Sequence, residues 1–166
     1  MNKKIFSIFS LVVICAVGFF AFFYVKGLPF TSDGREIVIK FERWPCFGSC
    51  PIYNLSIYGN GLVIYEGVDF VSVKGYRVTF LSQEDVENLL VEFEKINFYS
   101  LNDKYIDGPT DLDSIVLTLS INGNSKRVWH YGTSCGLDME NVAPPELCTL
   151  EHVLEGISEY WVKGIQ

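Results

Sequence analysis

The sequence predicts an α+β fold: an antiparallel sheet with two helices packed on one face, preceded by an N-terminal transmembrane helix. Three observations carry this. Residues 5–25 hold no charged side chain. Period-two alternation recurs through most of the remaining chain and is interrupted by two stretches at helical spacing. Two Asn-Gly pairs, Asn60-Gly61 and Asn122-Gly123, each join alternating stretches in the manner of hairpin turns.

The N-terminal run, taken as a helix, is about 31 Å long at 1.5 Å per residue and matches a hydrocarbon core of roughly 30 Å. Cleavage after Ala16-Val17-Gly18 would leave the apolar end Phe19-Phe20-Ala21-Phe22-Phe23-Tyr24, and Ile14 stands where a lipidation signal before Cys15 needs a small residue. The segment therefore reads as an uncleaved signal-anchor. Lys3 and Lys4 precede it and only Lys26 closely follows, so residues 1–4 stay cytoplasmic. Residues 26–35 form a linker, and 36–166 form a single extracytoplasmic domain that faces the periplasm if the cell is Gram-negative. The partner implied by residues 5–25 is the inner membrane. The 166-residue chain carries a net charge of −7, which becomes −10 without Lys3, Lys4 and Lys26. So acidic a body excludes nucleic acid and anionic lipid as main partners.

Residues 36–42 alternate, with Ile37, Ile39 and Phe41 on one side. Residues 52–58 and 62–66 flank Asn60-Gly61. A two-residue turn there pairs Ile57 with Ile64, puts Leu55 and Leu62 on one face and lines the other with Tyr58, Val63 and Tyr65. After a short strand at 76–80, Ser82 is placed to cap a helix, with Asp85 three residues on and Val86, Leu89, Leu90 and Phe93 at helical spacing. Residues 97–114 read as irregular. Residues 115–121 and 126–131 form the second hairpin. A two-residue turn sets Val128 against Leu117 and His130 against Ile115, with Trp129 and Tyr131 on the other side; a three-residue turn reverses the faces, and the sequence leaves both open. Pro144-Pro145 precede a closing helix whose apolar stripe is Leu147, Leu150, Leu154, Ile157 and Trp161.

With Cys15 in the membrane segment, Cys46, Cys50, Cys135 and Cys148 remain for an oxidising compartment. Three connectivities exist, of which the local pairs Cys46–Cys50 and Cys135–Cys148 are the simplest. Cys46-Phe47-Gly48-Ser49-Cys50-Pro51-Ile52-Tyr53, with Gly59-Asn60-Gly61, Tyr65 and Gly67 beyond it, resembles the bacterial domain of unknown function 6438 family. Leu81-Ser82 opening a helix, Phe98, Thr110-Asp111 before a strand and a last helix ending in Trp fit that resemblance over about residues 36–162. It implies an exported or lipid-anchored bacterial protein and brings no catalytic residue. Cys135 and Cys148 lie outside its motif.

Cys46 and Cys50 have three residues between them and lead into a strand. Reactive pairs usually stand closer, at a helix N-terminus, so this one reads as a staple. The cysteine and histidine spacings match no common zinc pattern, and the aspartates 103, 107, 111 and 113 lack the calcium-loop order and its closing Glu. No catalytic set, metal or cofactor is therefore expected. Tyr58, Tyr65, Trp129 and Tyr131, with the Thr110-Asp111 loop, are the expected interaction surface, because aromatics with polar tips suit recognition. The expected function is a membrane-anchored binding module for an envelope protein or small ligand. The alternative is an envelope enzyme that uses Cys46/Cys50 in redox chemistry or a metal held by the Asp loop.

Overall fold

The computed structural model describes residues 36–106, 111–132, 135 and 142–162. The predicted span 5–25, the linker 26–35 and Thr110 lie outside the described residues. No helix among the described residues is long and apolar enough to cross a membrane.

In chain order the elements are β1 (Ile37–Trp44), β2 (Ile52–Tyr58), β3 (Leu62–Asp69), β4 (Gly75–Phe80), α1 (Gln83–Lys95), a 3-10 turn (Phe98–Ser100), β5 (Lys104–Ile106), β6 (Ser114–Ile121), β7 (Asn124–Tyr131) and α2 (Pro145–Val162). Among the described residues the strands make one seven-stranded sheet in the order β4-β3-β2-β1-β6-β7-β5. All pairs are antiparallel except β5 with β7, which is parallel. The fold is thus α+β, and the sheet is mixed rather than purely antiparallel as expected. β5 lies inside the segment read as irregular. Three residues are too few to show a period, and their ladder to Trp129, His130 and Tyr131 is non-local.

One face of the sheet carries the core. Ile39 and Phe41, Tyr53, Leu55 and Ile57, Val63 and Tyr65, Ile115, Leu117 and Leu119, and Val128 are all buried. Against them sit Val86, Leu89 and Phe93 of α1, Phe98, and Leu147, Leu150 and Leu154 of α2. Each such side chain contributes about 1.5–3 kcal/mol through apolar area taken from water. Phe93 and Phe98 meet edge to face at 4.9 Å between centroids.

The two hairpins differ by one residue in their loops, and this decides which aromatics are inside. In the second, Asn122 and Gly123 take φ of +52° and +80°, the two-residue type I′ solution. Leu117 faces Val128 and Ile115 faces His130, while Trp129 turns outward opposite Val116. The first hairpin overturns its expectation. Only Gly61, at φ +85°, is left-handed, and the loop is Gly59, Asn60 and Gly61 between Tyr58 and Leu62. Ile57 therefore faces Val63, Ser56 faces Ile64 and Leu55 faces Tyr65. Leu62 and Ile64 go to the open face with Tyr58, and Val63 and Tyr65 go to the core. The longer loop is tied to the rest of the fold, since the Leu81 amide donates to the Gly61 carbonyl at 2.9 Å.

Candidate functional site

Beyond Trp44 the chain turns through Pro45–Pro51 and re-enters the sheet at Ile52. Cys46 and Cys50 are disulfide-bonded with their Cα atoms 5.8 Å apart, as are Cys135 and Cys148 at 6.3 Å. The first bridge closes a surface turn whose tip, Phe47, is 92% exposed. The Phe47 amide donates to the Asp111 carbonyl at 3.2 Å, so this disulfide-closed turn, the Cys46–Cys50 knot, rests on the loop before β6.

Of the expected interaction residues, the structure brings Trp129 and Tyr131 together on the open sheet face and adds Trp44, which sequence reading missed. Trp129 lies 6.3 Å from Trp44 and 6.2 Å from Tyr131. Lys104 stands over the Trp129 ring and Arg127 over that of Trp44, each at 5.3 Å. These cations cover the ring faces, and the Tyr131 hydroxyl accepts from the Leu112 amide at 3.0 Å. The group is therefore a self-packed plate over Val116, which is fully buried. Tyr58 lies apart from it, near the β2–β3 loop. Tyr65 is no surface residue: it is fully buried in the core, and burial raises its phenol pKa. The Asp111 side chain is exposed.

An uncovered apolar strip among the described residues lies elsewhere on this face, along edge strand β4. Tyr76, Val78 and Phe80 are 66%, 58% and 70% exposed. They pair across to Glu66, Ile64 and Leu62. Their alternation with Arg77 and Thr79 was visible in the sequence, but the usual rule would have turned them inward. Glu66 anchors the strip: hydrogen bonds from Tyr76 and from Asn54 hold its carboxyl below the ordinary range.

On the core side, polar residues tie α2 to the sheet. Arg43 of β1 reaches Asp113, and its Nη1 donates to Glu155 of α2 at 2.8 Å. His130 Nδ1 faces both oxygens of Glu151 at 2.9 and 3.0 Å. The Ser158 hydroxyl donates to the Tyr53 hydroxyl at 2.9 Å. Burial pushes the Glu151 carboxyl up, against the opposing pull of His130. A cleft of about 280 Å³ opens beside these groups, lined by Arg43, Asp113, Cys135, Cys148, Glu151 and Glu155 among others. No short-range motif announces it. Its ion pairs join residues 70 and 112 apart in sequence.

Asp103, Asp111 and Asp113, the described aspartates of the loop, do not converge. Asp103 is engaged by Lys126 at 2.5 Å and Asp113 by Arg43, and the aspartates form no three-residue ligand cluster among the described residues. His130, Cys135 and Cys148 do cluster, with one ligand atom from each lying within 4.8 Å of the others.

The arrangement defines a small α+β sheet domain, closed over its core side by α2 and stapled by two disulfides. It belongs to the family described as domain of unknown function (DUF6438), whose sequence profile matches residues 37–158. No curated protein matches the chain.

Proposed function

We propose that this is a membrane-anchored, extracytoplasmic binding module, held by residues 5–25 with its N-terminus in the cytoplasm, which recognises an extended polypeptide by adding it to strand β4. One observation carries the recognition mode: β4 ends the sheet and presents Tyr76, Val78 and Phe80, at 66%, 58% and 70% exposure, beside Leu62 and Ile64. Natural edge strands are blunted by charged residues, proline, bulges or a covering element. Among the described residues this one pairs only with β3 and has no strand on its outer side, and its single charged residue, exposed Arg77, pairs opposite Tyr65 and so lies on the other face from Tyr76, Val78 and Phe80. Such an edge supplies backbone pairing for affinity and alternate side-chain positions for specificity. A strip along an edge strand, outside any concave pocket lined by the described residues, suits an extended segment with apolar residues at every second position better than a compact small molecule. The net charge of −7 favours a neutral or basic segment.

The cleft supports an enzyme reading less well, because its charged groups are committed to one another. Arg43 is divided between Asp113 and Glu155, and Glu151 is held by His130.

The test is selection of short random peptides displayed on phage against the full chain in detergent. Peptides with alternate apolar residues are expected to bind, to lose at least about tenfold in affinity (1.4 kcal/mol) with the exposed-site variant Val78→Lys, and to slow hydrogen exchange at β4 amides. Selected peptides that bind Val78→Lys equally well would overturn the reading. A dimer of the full chain that dissociates in Val78→Lys, with no peptide selected, would also overturn it by showing that a second copy is the occupant.

A further inference from the structure

The second disulfide sits in a different chemical setting from the first. Cys148 is in the opening turn of α2, where its amide donates to the Pro144 carbonyl, and a helix N-terminus favours a thiolate. A ring nitrogen of His130 lies within 4.8 Å of both sulfurs. Glu151 fixes that ring, as a carboxylate fixes the histidine of a catalytic or metal site. Both cysteines line the cleft, yet unequally: Cys148 is 7% exposed and Cys135 is half-buried. No histidine or carboxylate joins Cys46 and Cys50 in this way among the described residues.

We propose that Cys135–Cys148 is an exchange-competent disulfide that accepts electrons from an external dithiol, with His130 as its proton donor, whereas Cys46–Cys50 is a structural staple. A thiolate of the dithiol enters through the cleft and attacks Sγ of Cys135, the accessible sulfur. A mixed disulfide forms, the Cys135–Cys148 bond breaks, and the electron pair leaves on Sγ of Cys148. There the helix N-terminus stabilises it, and the His130 ring, carrying the proton given up by the attacking thiol, protonates it. The second thiol of the dithiol, once deprotonated, attacks its own sulfur in the mixed disulfide and releases Cys135, which takes up a proton. Two electrons and two protons have then passed from the dithiol, now a disulfide, to the protein, now a dithiol. The reverse reaction returns them. The class of partner is a protein or small-molecule dithiol of the envelope. The Glu151 hydrogen bond makes that residue a positioning group, because it acts on sulfur only through His130.

The experiment is timed reduction of the full chain by dithiothreitol in detergent, with Cys15 blocked beforehand, quenching by alkylation and mapping of the labelled cysteines. Cys135 and Cys148 are expected to label at least about tenfold faster than Cys46 and Cys50, the scale of roughly one to two thiol pKa units in the leaving group, even though Cys46–Cys50 lies in the more exposed turn. His130→Gln is expected to erase that advantage while the Cys46–Cys50 rate stays put, which a merely unfolded variant would not do. If His130→Gln accelerates labelling at Cys46 and Cys50, it has lost its fold, and Glu151→Gln decides by the same ratio. Equal labelling of the two bridges in the unmodified chain, faster labelling of Cys46–Cys50, or an unchanged ratio in a folded variant overturns the proposal.

Discussion

Gly61 shows how one residue selects between two hairpins. Its φ of +85° is a conformation that side chains disfavour, and a Cβ placed there would lie 2.3 Å from the Leu81 carbonyl oxygen. Backbone at both sides leaves neither party free to move. Gly61→Ala is expected to cost about 2–4 kcal/mol in denaturant unfolding, the sum of a left-handed alanine and a steric clash. Gly75→Ala is the control: its φ is +81° but nothing stands within 4 Å, so only about 1 kcal/mol should be lost. Equal losses at the two positions would show that the contact with Leu81 is not what holds the loop. The same glycine decides the place of Tyr65. Asn60-Gly61 on its own is equally compatible with a two-residue turn, and that choice would have exposed Tyr65. The Leu81 amide, twenty residues on, settles it, and no local pattern could have shown that.

Among the elements, α1 was legible almost completely, because what defines it is local. Ser82 accepts from the Asp85 amide at 3.1 Å, and the Asp85 carboxylate accepts from the Ser82 amide at 3.2 Å, which together make a capping box. Val86, Leu89 and Phe93 point inward as their spacing requires. Ser82→Ala should cost about 1 kcal/mol, seen as a lower midpoint in urea at unchanged slope; a change in slope would mean that the cap alters the unfolded ensemble instead. The β6–β7 hairpin was legible up to its turn, which Asn122 and Gly123 close in the tighter way. β5 was not legible, since it exists only through pairing with β7. Nor was the tie between α2 and the sheet. His152 and Glu151 are neighbours in sequence, yet only Glu151 faces inward, to a histidine contributed by β7. Arg43 read as one more polar end of a strand until the fold set Asp113 and Glu155 around it.

At the scale of the molecule, the β1–β6 ladder, with Phe41 opposite Leu117, joins a four-stranded meander to the later strands across a long separation in sequence. Such a seam closes late and slowly, because its loop entropy is lost before its contacts form. α2 bridges the seam through Arg43 and Tyr53 on one side and His130 on the other. Cys135–Cys148 then fastens the start of α2 to the chain just beyond β7. The two disulfides should therefore contribute unequally to stability. With separations of 4 and 13 residues, loop-closure entropy assigns about 2 kcal/mol to Cys46–Cys50 and about 3 kcal/mol to Cys135–Cys148. The Cys135→Ser/Cys148→Ser variant should lose the larger amount in equilibrium denaturation, and Cys46→Ser/Cys50→Ser the smaller. Opposite ranking would mean that the knot restrains more than its own ring. The contact of Phe47 with the Asp111 carbonyl names the place to look, because it couples the knot to the entry of β6 and so to the seam itself.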